Sequence, residues 1–337
     1  MEIRKLNTLR ALAALIVVVS HYGNVNASTL WGSTLGNGAG QLGVMLFFIL
    51  SGFLMSHLYM AQNCEKSRIR HFLVARAARV LPLFITVVLV SYALYQLGYK
   101  GIFYSINNLA SLISHLALLY GTNVLWTIPP EVQFYLLFVP FWMLYIKRPV
   151  YLYAVMALVL AVLIAMNFPN PIKGHKGYIV DTKILIALPY FFVGMVLGRL
   201  YEHRKRFERF QSAWFLLALL IIPAMYPTIF EWLFAAEHAM WQDLNVLIAV
   251  SIAFFCLVFM VPNSNLILAN PVGDFVGNVS YSWYLLHLPV LALFERYVHQ
   301  HPLFILPVFV AVSLFVSYLV YRFFESPSRR AIRKYFG

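Results

Sequence analysis

Apolar runs of about 18 to 20 residues recur along the chain, with short polar stretches between them. At about 1.5 Å of helical rise per residue, each run can cross a hydrocarbon core of roughly 30 Å. They predict helices over residues 6–24, 42–60, 80–97, 131–146, 150–168, 184–200, 213–230, 244–261, 276–294 and 303–323. Residues 109–120 are also apolar, but a run of 12 residues is half a span. That segment is expected to be a re-entrant or interfacial helix. The expected fold is all-α: one polytopic integral membrane domain over residues 1–337, with about ten transmembrane helices and one short helix.

Composition narrows the class. Apolar residues make up 62% of the chain and charged residues 11%, against about 25% charged in ordinary soluble domains. The formal net charge of +13 would raise nucleic acid as a partner in a soluble protein. In a membrane protein it has a simpler origin, because Lys and Arg collect in the segments that stay in the cytoplasm. With about ten spans and the N-terminus inside, 20 of the 25 Lys and Arg residues fall on the cytoplasmic side and 5 outside (Lys100, Lys173, Lys176, Lys183 and Arg296). If residues 109–120 also spanned, the division would be 12 inside and 13 outside. Charge therefore predicts both termini in the cytoplasm, an inner or plasma membrane location, membrane lipid as a partner and no nucleic acid. Cys64 and Cys256 make no disulfide framework. No CxxC pair or His/Cys cluster suggests a metal. The first outer loop, 22–41, has no Lys or Arg. Its Gly38–Gly43 stretch matches GxGxxG but precedes a membrane helix rather than following a strand, so it reads as a flexible loop. Residues 4–19 have the outline of a signal peptide. Their apolar part is short, however, and cleavage would discard His21.

Four places put polar groups where hydrocarbon penalises them. The first is residues 9–22, LRALAALIVVVSHY. Arg10 and His21 are eleven residues apart, which returns to within about 20° of the same helix face. Arg10 fits either snorkelling to the inner headgroups or facing the bundle. His21 is of the residue type used as a general base near neutral pH. The second is residues 68–79, where Arg76 and Arg79 lie one helical turn apart before a proline. They fit a cytoplasmic loop, or an anion site suited to phosphates. In the third, LWTIPPEVQFY at 125–135, Pro130 can take the first helical position and Glu131 follows it. Glu131 fits a plain helix-start acid, or a carboxylate that orients His21 and stabilises its charged form. The fourth, 277–289, crowds Ser280, Tyr281, Ser282, Tyr284 and His287 into one span, either for interhelical hydrogen bonds or for a function.

In chain order, LRALAALIVVVSH, RAARVLP, LWTIPPEVQFY and SYSWYLLHLP resemble the signature stretches of the acyltransferase-3 family of membrane acyltransferases. FFILSGFLM at 47–55 and FFESP at 323–327 are similar to further family motifs. The resemblance covers nearly the whole chain. One departure is Ile128-Pro129-Pro130, where the family usually has Leu or Ser and no proline pair; it bears on how Glu131 enters its helix. Some family members carry a further soluble esterase-like domain, and none is read in these 337 residues.

The resemblance implies transfer of an acyl group, acetyl by default, from cytoplasmic acyl-coenzyme A to a hydroxyl. The acceptor would be a carbohydrate or lipid-linked glycan, such as an exopolysaccharide or O-antigen unit. The expected catalytic residues are His21 and Glu131. Arg10, Arg76 and Arg79 are expected to hold the donor, and Tyr135, Ser280, Tyr281 and His287 the acceptor. No metal is implied. His21 would deprotonate the acceptor hydroxyl, Glu131 would orient His21 or hold the acceptor, and Arg10 would stabilise the donor or the developing oxyanion. A covalent acyl-His21 step is the alternative. A different class of function also fits intramembrane His, Arg and Glu: a transporter or flippase for a glycan or acylated lipid. A third is a non-catalytic membrane scaffold, which should tolerate loss of Arg10, His21 and Glu131. Oligomeric state is not legible in the sequence.

Overall fold

In hydrocarbon a backbone must satisfy its own N–H and C=O groups, so apolar runs become helices. The computed structural model describes residues 3–25, 30–166, 183–237, 240–300 and 302–337. Among them there is no strand. The helices in order are α1 (Arg4–Val25), α2 (Leu30–Leu35), α3 (Gly40–Tyr59), α4 (Lys66–Gln96), α5 (Leu109–Leu116), α6 (Ile128–Lys147) and α7 (Pro149–Ala165). Then come α8 (Ile184–Leu200), α9 (Ile221–Ala224), α10 (Pro227–Phe234), α11 (Leu244–Phe255), α12 (Pro271–Gln300), α13 (Pro302–Val320) and α14 (Ser326–Phe336).

The chain is a helical membrane protein, but the count of about ten spans is not reached. Among the described residues, six helices are long and apolar enough to cross a bilayer, and a seventh if one bent pair counts as a span. Each shortfall has a local cause. The run at 213–230 begins as a 3₁₀ segment (Ala213–Leu220) and breaks between α9 and α10, which bend by 100° at Pro227. The run at 244–261 is a 12-residue helix closed by a wider π-type turn, Cys256–Met260. α7 has 17 residues, and the far end of the expected 150–168 span lies outside the described residues, as do Lys173 and Lys176. α12 is long, at 30 residues, but carries Asp274, Ser280, Ser282, His287 and Glu295 along its length. Residues 109–120 form the eight-residue α5, too short to span.

The helix boundaries also move at the basic segment. Residues 68–79, compatible with a loop by sequence, lie in the first half of the 31-residue α4. Arg, Ala and Leu are strong helix formers, and Pro82 sits inside the helix rather than ending it.

The described residues form two compact units, drawn from 1–62, 150–170 and 186–280 and from 63–149, 171–185 and 281–337. In the first, α1 packs on α3 and α3 on α8 through small residues. A side chain at Gly52 would collide with the Phe191 backbone, and one at Gly194 with the Ile49 backbone, the close approach typical of membrane helix pairs. Lys5 is 1% exposed. Its Nζ donates to the carbonyls of Val258 and Val261, 2.7 Å each, at the carbonyl-rich end of the π-type turn that follows α11. In the second unit, Phe72 on α4 meets Phe138 and Trp142 on α6. α14 lies against α4, with Arg70 Nε donating to the Phe336 carbonyl at 3.1 Å. Trp283 on α12 donates to Ser313 Oγ on α13 at 2.9 Å.

Candidate active site

Arg10, His21 and Ser280 belong to the first unit. Arg76, Arg79, Glu131, Tyr135, Tyr281 and His287 belong to the second.

On α1, His21 is half-buried and its Nδ1 lies 2.9 Å from the Val17 carbonyl oxygen. A carbonyl can only accept, so Nδ1 carries the proton. In the neutral ring Nε2 then carries the basic lone pair. Arg10 donates to Asn7 Oδ1 at 3.2 Å, and Asn7 Nδ2 to Asp274 Oδ1 at 3.2 Å. The other Asp274 oxygen pairs with Arg4 at 2.7 Å. Arg10 thus joins a polar chain with a carboxylate in it. Ser280 is buried and donates to the Gly277 carbonyl of its own helix at 2.8 Å.

The second unit gathers most of the predicted polar groups. Pro129 and Pro130 occupy the start of α6, as the sequence suggested, and place Glu131 in its first turn. One turn later Tyr135 is 4% exposed and donates to Glu131 Oε1. Arg76 and Arg79 on α4 are half-buried, and both act electrostatically on the Tyr135 hydroxyl. The Arg76 guanidinium also lies 5.9 Å from the centre of the Phe72 ring. Among the described residues, the Arg79 guanidinium has no hydrogen-bond or ion-pair partner. Tyr281 on α12 donates to the Val80 carbonyl at 2.7 Å, and Glu131, Tyr135, Arg79 and Glu325 all lie within its electrostatic reach. Two cations, two carboxylates and two phenols therefore come from α4, α6, α12 and the turn before α14. A half-buried arginine among phenols and carboxylates, without a direct ion pair among the described residues, suits an arriving anion.

His287 is fully buried, with Nδ1 at 2.8 Å from the Tyr284 carbonyl and 3.2 Å from that of Trp283. Those are bonds within its own helix. The loop leading to α6 is tied down by Tyr284, whose hydroxyl donates to the Val124 carbonyl at 3.0 Å and lies 3.1 Å from Thr127 Oγ1.

A family profile described as an acyltransferase domain matches residues 3–322. The chain belongs to the acyltransferase-3 family. Among curated relatives, the O-acetyltransferase OatA of Staphylococcus aureus strain NCTC 8325 is 23% identical over 359 aligned residues, covering 96% of this chain and 57% of that protein. OatA of strain COL matches to the same extent. Another protein of S. aureus strain COL, provisionally named an O-acetyltransferase, is 23% identical over 372 residues with the same coverage. The chain thus spans 57% of the length of these relatives. No solved structure matches it.

Within this acyltransferase-3 chain, the sequence reading missed Glu325 as a site residue. It is 3% exposed, accepts from Ser282 Oγ, and feels the charges of Arg79 and Arg329. The signal was present in FFESP, where an acid follows an apolar span, but nothing in the sequence alone turns that acid inward.

Proposed function

We propose that this chain transfers an acyl group, acetyl foremost, from cytoplasmic acyl-coenzyme A to a hydroxyl of a carbohydrate or lipid-linked glycan. The observation that carries this reading is the Arg76 and Arg79 pair gathered with Tyr135 and Tyr281 in an acyltransferase-3 chain, Arg79 having no hydrogen-bond or ion-pair partner among the described residues. A polyanionic donor matches that cation pair. The names of the matched relatives support acetyl as the group and oxygen as its destination. They also favour transfer over transport.

In this reading, His21 Nε2 takes the proton of the acceptor hydroxyl. The oxygen attacks the thioester carbonyl and forms the new ester. The carbon–sulfur bond breaks, and the departing thiolate takes the proton back from His21. Glu131 and Tyr135 act as one hydrogen-bonded pair that holds a substrate group, and Arg10 or Arg79 offsets charge on the donor or the oxyanion. The membrane is the inner or plasma membrane. The chain crosses it several times, with both termini in the cytoplasm.

The deciding experiment is binding of acetyl-coenzyme A to detergent-solubilised protein, wild type against Arg76→Ala/Arg79→Ala. We expect specific binding that weakens by about 100-fold or more, since two charge-assisted contacts at roughly 1.5–3 kcal/mol each are removed. Equal binding by both proteins, or none by folded wild type, overturns the donor assignment.

A further inference from the structure

Tyr281 and Ser282 are neighbours on α12, yet their hydroxyls reach to two different elements. Tyr281 donates to the Val80 carbonyl on α4, at 2.7 Å, next to Arg79 in sequence. Ser282 donates to Glu325 Oε2. Adjacent residues of α12 therefore tie down both the Glu325 carboxylate and the α4 backbone beside Arg79. Glu325 closes a π-type turn, Tyr321–Glu325, between α13 and α14. Such a turn inserts an extra residue into the helical phase and is frequent at functional sites. Here Glu325 is buried at 3% exposure, whereas Phe323 two residues earlier is 71% exposed. A carboxylate is taken inside at the expense of regular helix geometry, and a purely structural helix has no need of one.

We propose that Glu325 is a positioning residue for the anion site on α4. Held by Ser282, its carboxylate attracts the Arg79 guanidinium and that of Arg329, on α14. Both arginines then present their charge before the donor arrives. In a site this poorly solvated, a carboxylate that makes no direct ion pair with Arg79 still acts on it with little screening. Arg329 becomes a second cation acting on the same carboxylate, supplied by a helix whose basic residues the sequence pattern marked only as cytoplasmic charge. This inference rests on the donor reading above.

The test is a double-mutant cycle on acetyl-coenzyme A affinity, using Glu325→Gln, Arg79→Ala and the pair. Glutamine keeps the size of the side chain and an acceptor for Ser282 while removing the charge. We expect Glu325→Gln to weaken binding by about tenfold in the wild-type background and by less than about twofold when Arg79 is already alanine. Glu325→Asp should recover part of the loss. The thermal midpoint of Glu325→Gln in detergent should stay within a few degrees of wild type. Equal losses in both backgrounds would assign Glu325 a merely structural role and overturn the inference, with the donor reading intact. Wild-type affinity in Glu325→Gln overturns it too. If wild type itself fails to bind acetyl-coenzyme A, the donor reading fails and takes this inference with it. If Glu325→Gln does not fold, Ser282→Ala replaces it in the same cycle, with the same outcomes deciding.

Discussion

One hydrogen bond sets the chemistry available to His21. With Nδ1 donating to Val17, the basic nitrogen is Nε2. A ring fixed in this way is a base with a direction. Replacing His21 with Ala is expected to lower acyl transfer by roughly 10²–10⁴-fold and to leave acetyl-coenzyme A binding near wild type; a turnover assay beside a binding assay checks both. The existence of a histidine at this place in α1 was legible in the sequence, because an imidazole in an aliphatic run has few bland uses. Its tautomer was not, since that depends on where a carbonyl four residues earlier points. Ser280 and His287 show the opposite case. Both bond to carbonyls of their own helix, a role that sequence cannot separate from ligand binding. A different histidine supplies a pH prediction. His115 lies on α5, outside the spanning helices. Nδ1 donates to the Ser111 carbonyl at 2.7 Å, and Nε2 accepts the Thr122 N–H at 3.0 Å. Burial holds this imidazole below its ordinary range, partly offset by the bond to Ser111. Between its folded value and about 6.5 the unfolded chain binds the proton more readily, so stability rises with pH there. Thermal midpoints in detergent should therefore fall as pH drops below about 6.5. His115→Gln should flatten that part of the curve.

Helices α4 and α6 turn motifs into geometry. On a 31-residue helix, Arg76 and Arg79 sit one turn apart and share a face, which a loop would not guarantee. The proline pair at the start of α6 puts Glu131 in the first turn and Tyr135 directly above it. These relations follow from helix periodicity, so spacing alone made them readable. The π-type turns at 256–260 and 321–325 did not announce themselves. A one-residue change in helical phase leaves no mark in an apolar run, and Glu325 was missed for that reason. The α3–α8 contact gives the prediction at this scale. Gly194 faces the Ile49 backbone at a distance that excludes a side chain. Gly194→Val should destabilise the protein by ~1–3 kcal/mol through overpacking, seen as an earlier thermal transition in detergent. An unchanged midpoint would mean that the two helices are free to separate.

At the scale of the whole molecule, hydropathy and charge identified the class but overstated the regularity of the spans. A window of apolar residues registers composition, while crossing a bilayer needs rise. The bend of 100° at Pro227 and the 17-residue α7 pass the first test and fall short of the second. Charge counting, which placed 20 of 25 basic residues on one side, likewise treated every cation as a surface group. Among the described residues Lys5 is the exception, because it is buried against two carbonyls of a segment some 253 residues later. That has a consequence for how the protein is made. The ammonium group reaches the membrane with α1, and its acceptors follow only after some 253 further residues have been synthesised. At about 5–20 residues per second, the interval is roughly ten to fifty seconds. During that time the start of the first helix must stay hydrated or be held by an insertase, and the ribosome's progress through residue 261 sets the earliest moment at which it can lock.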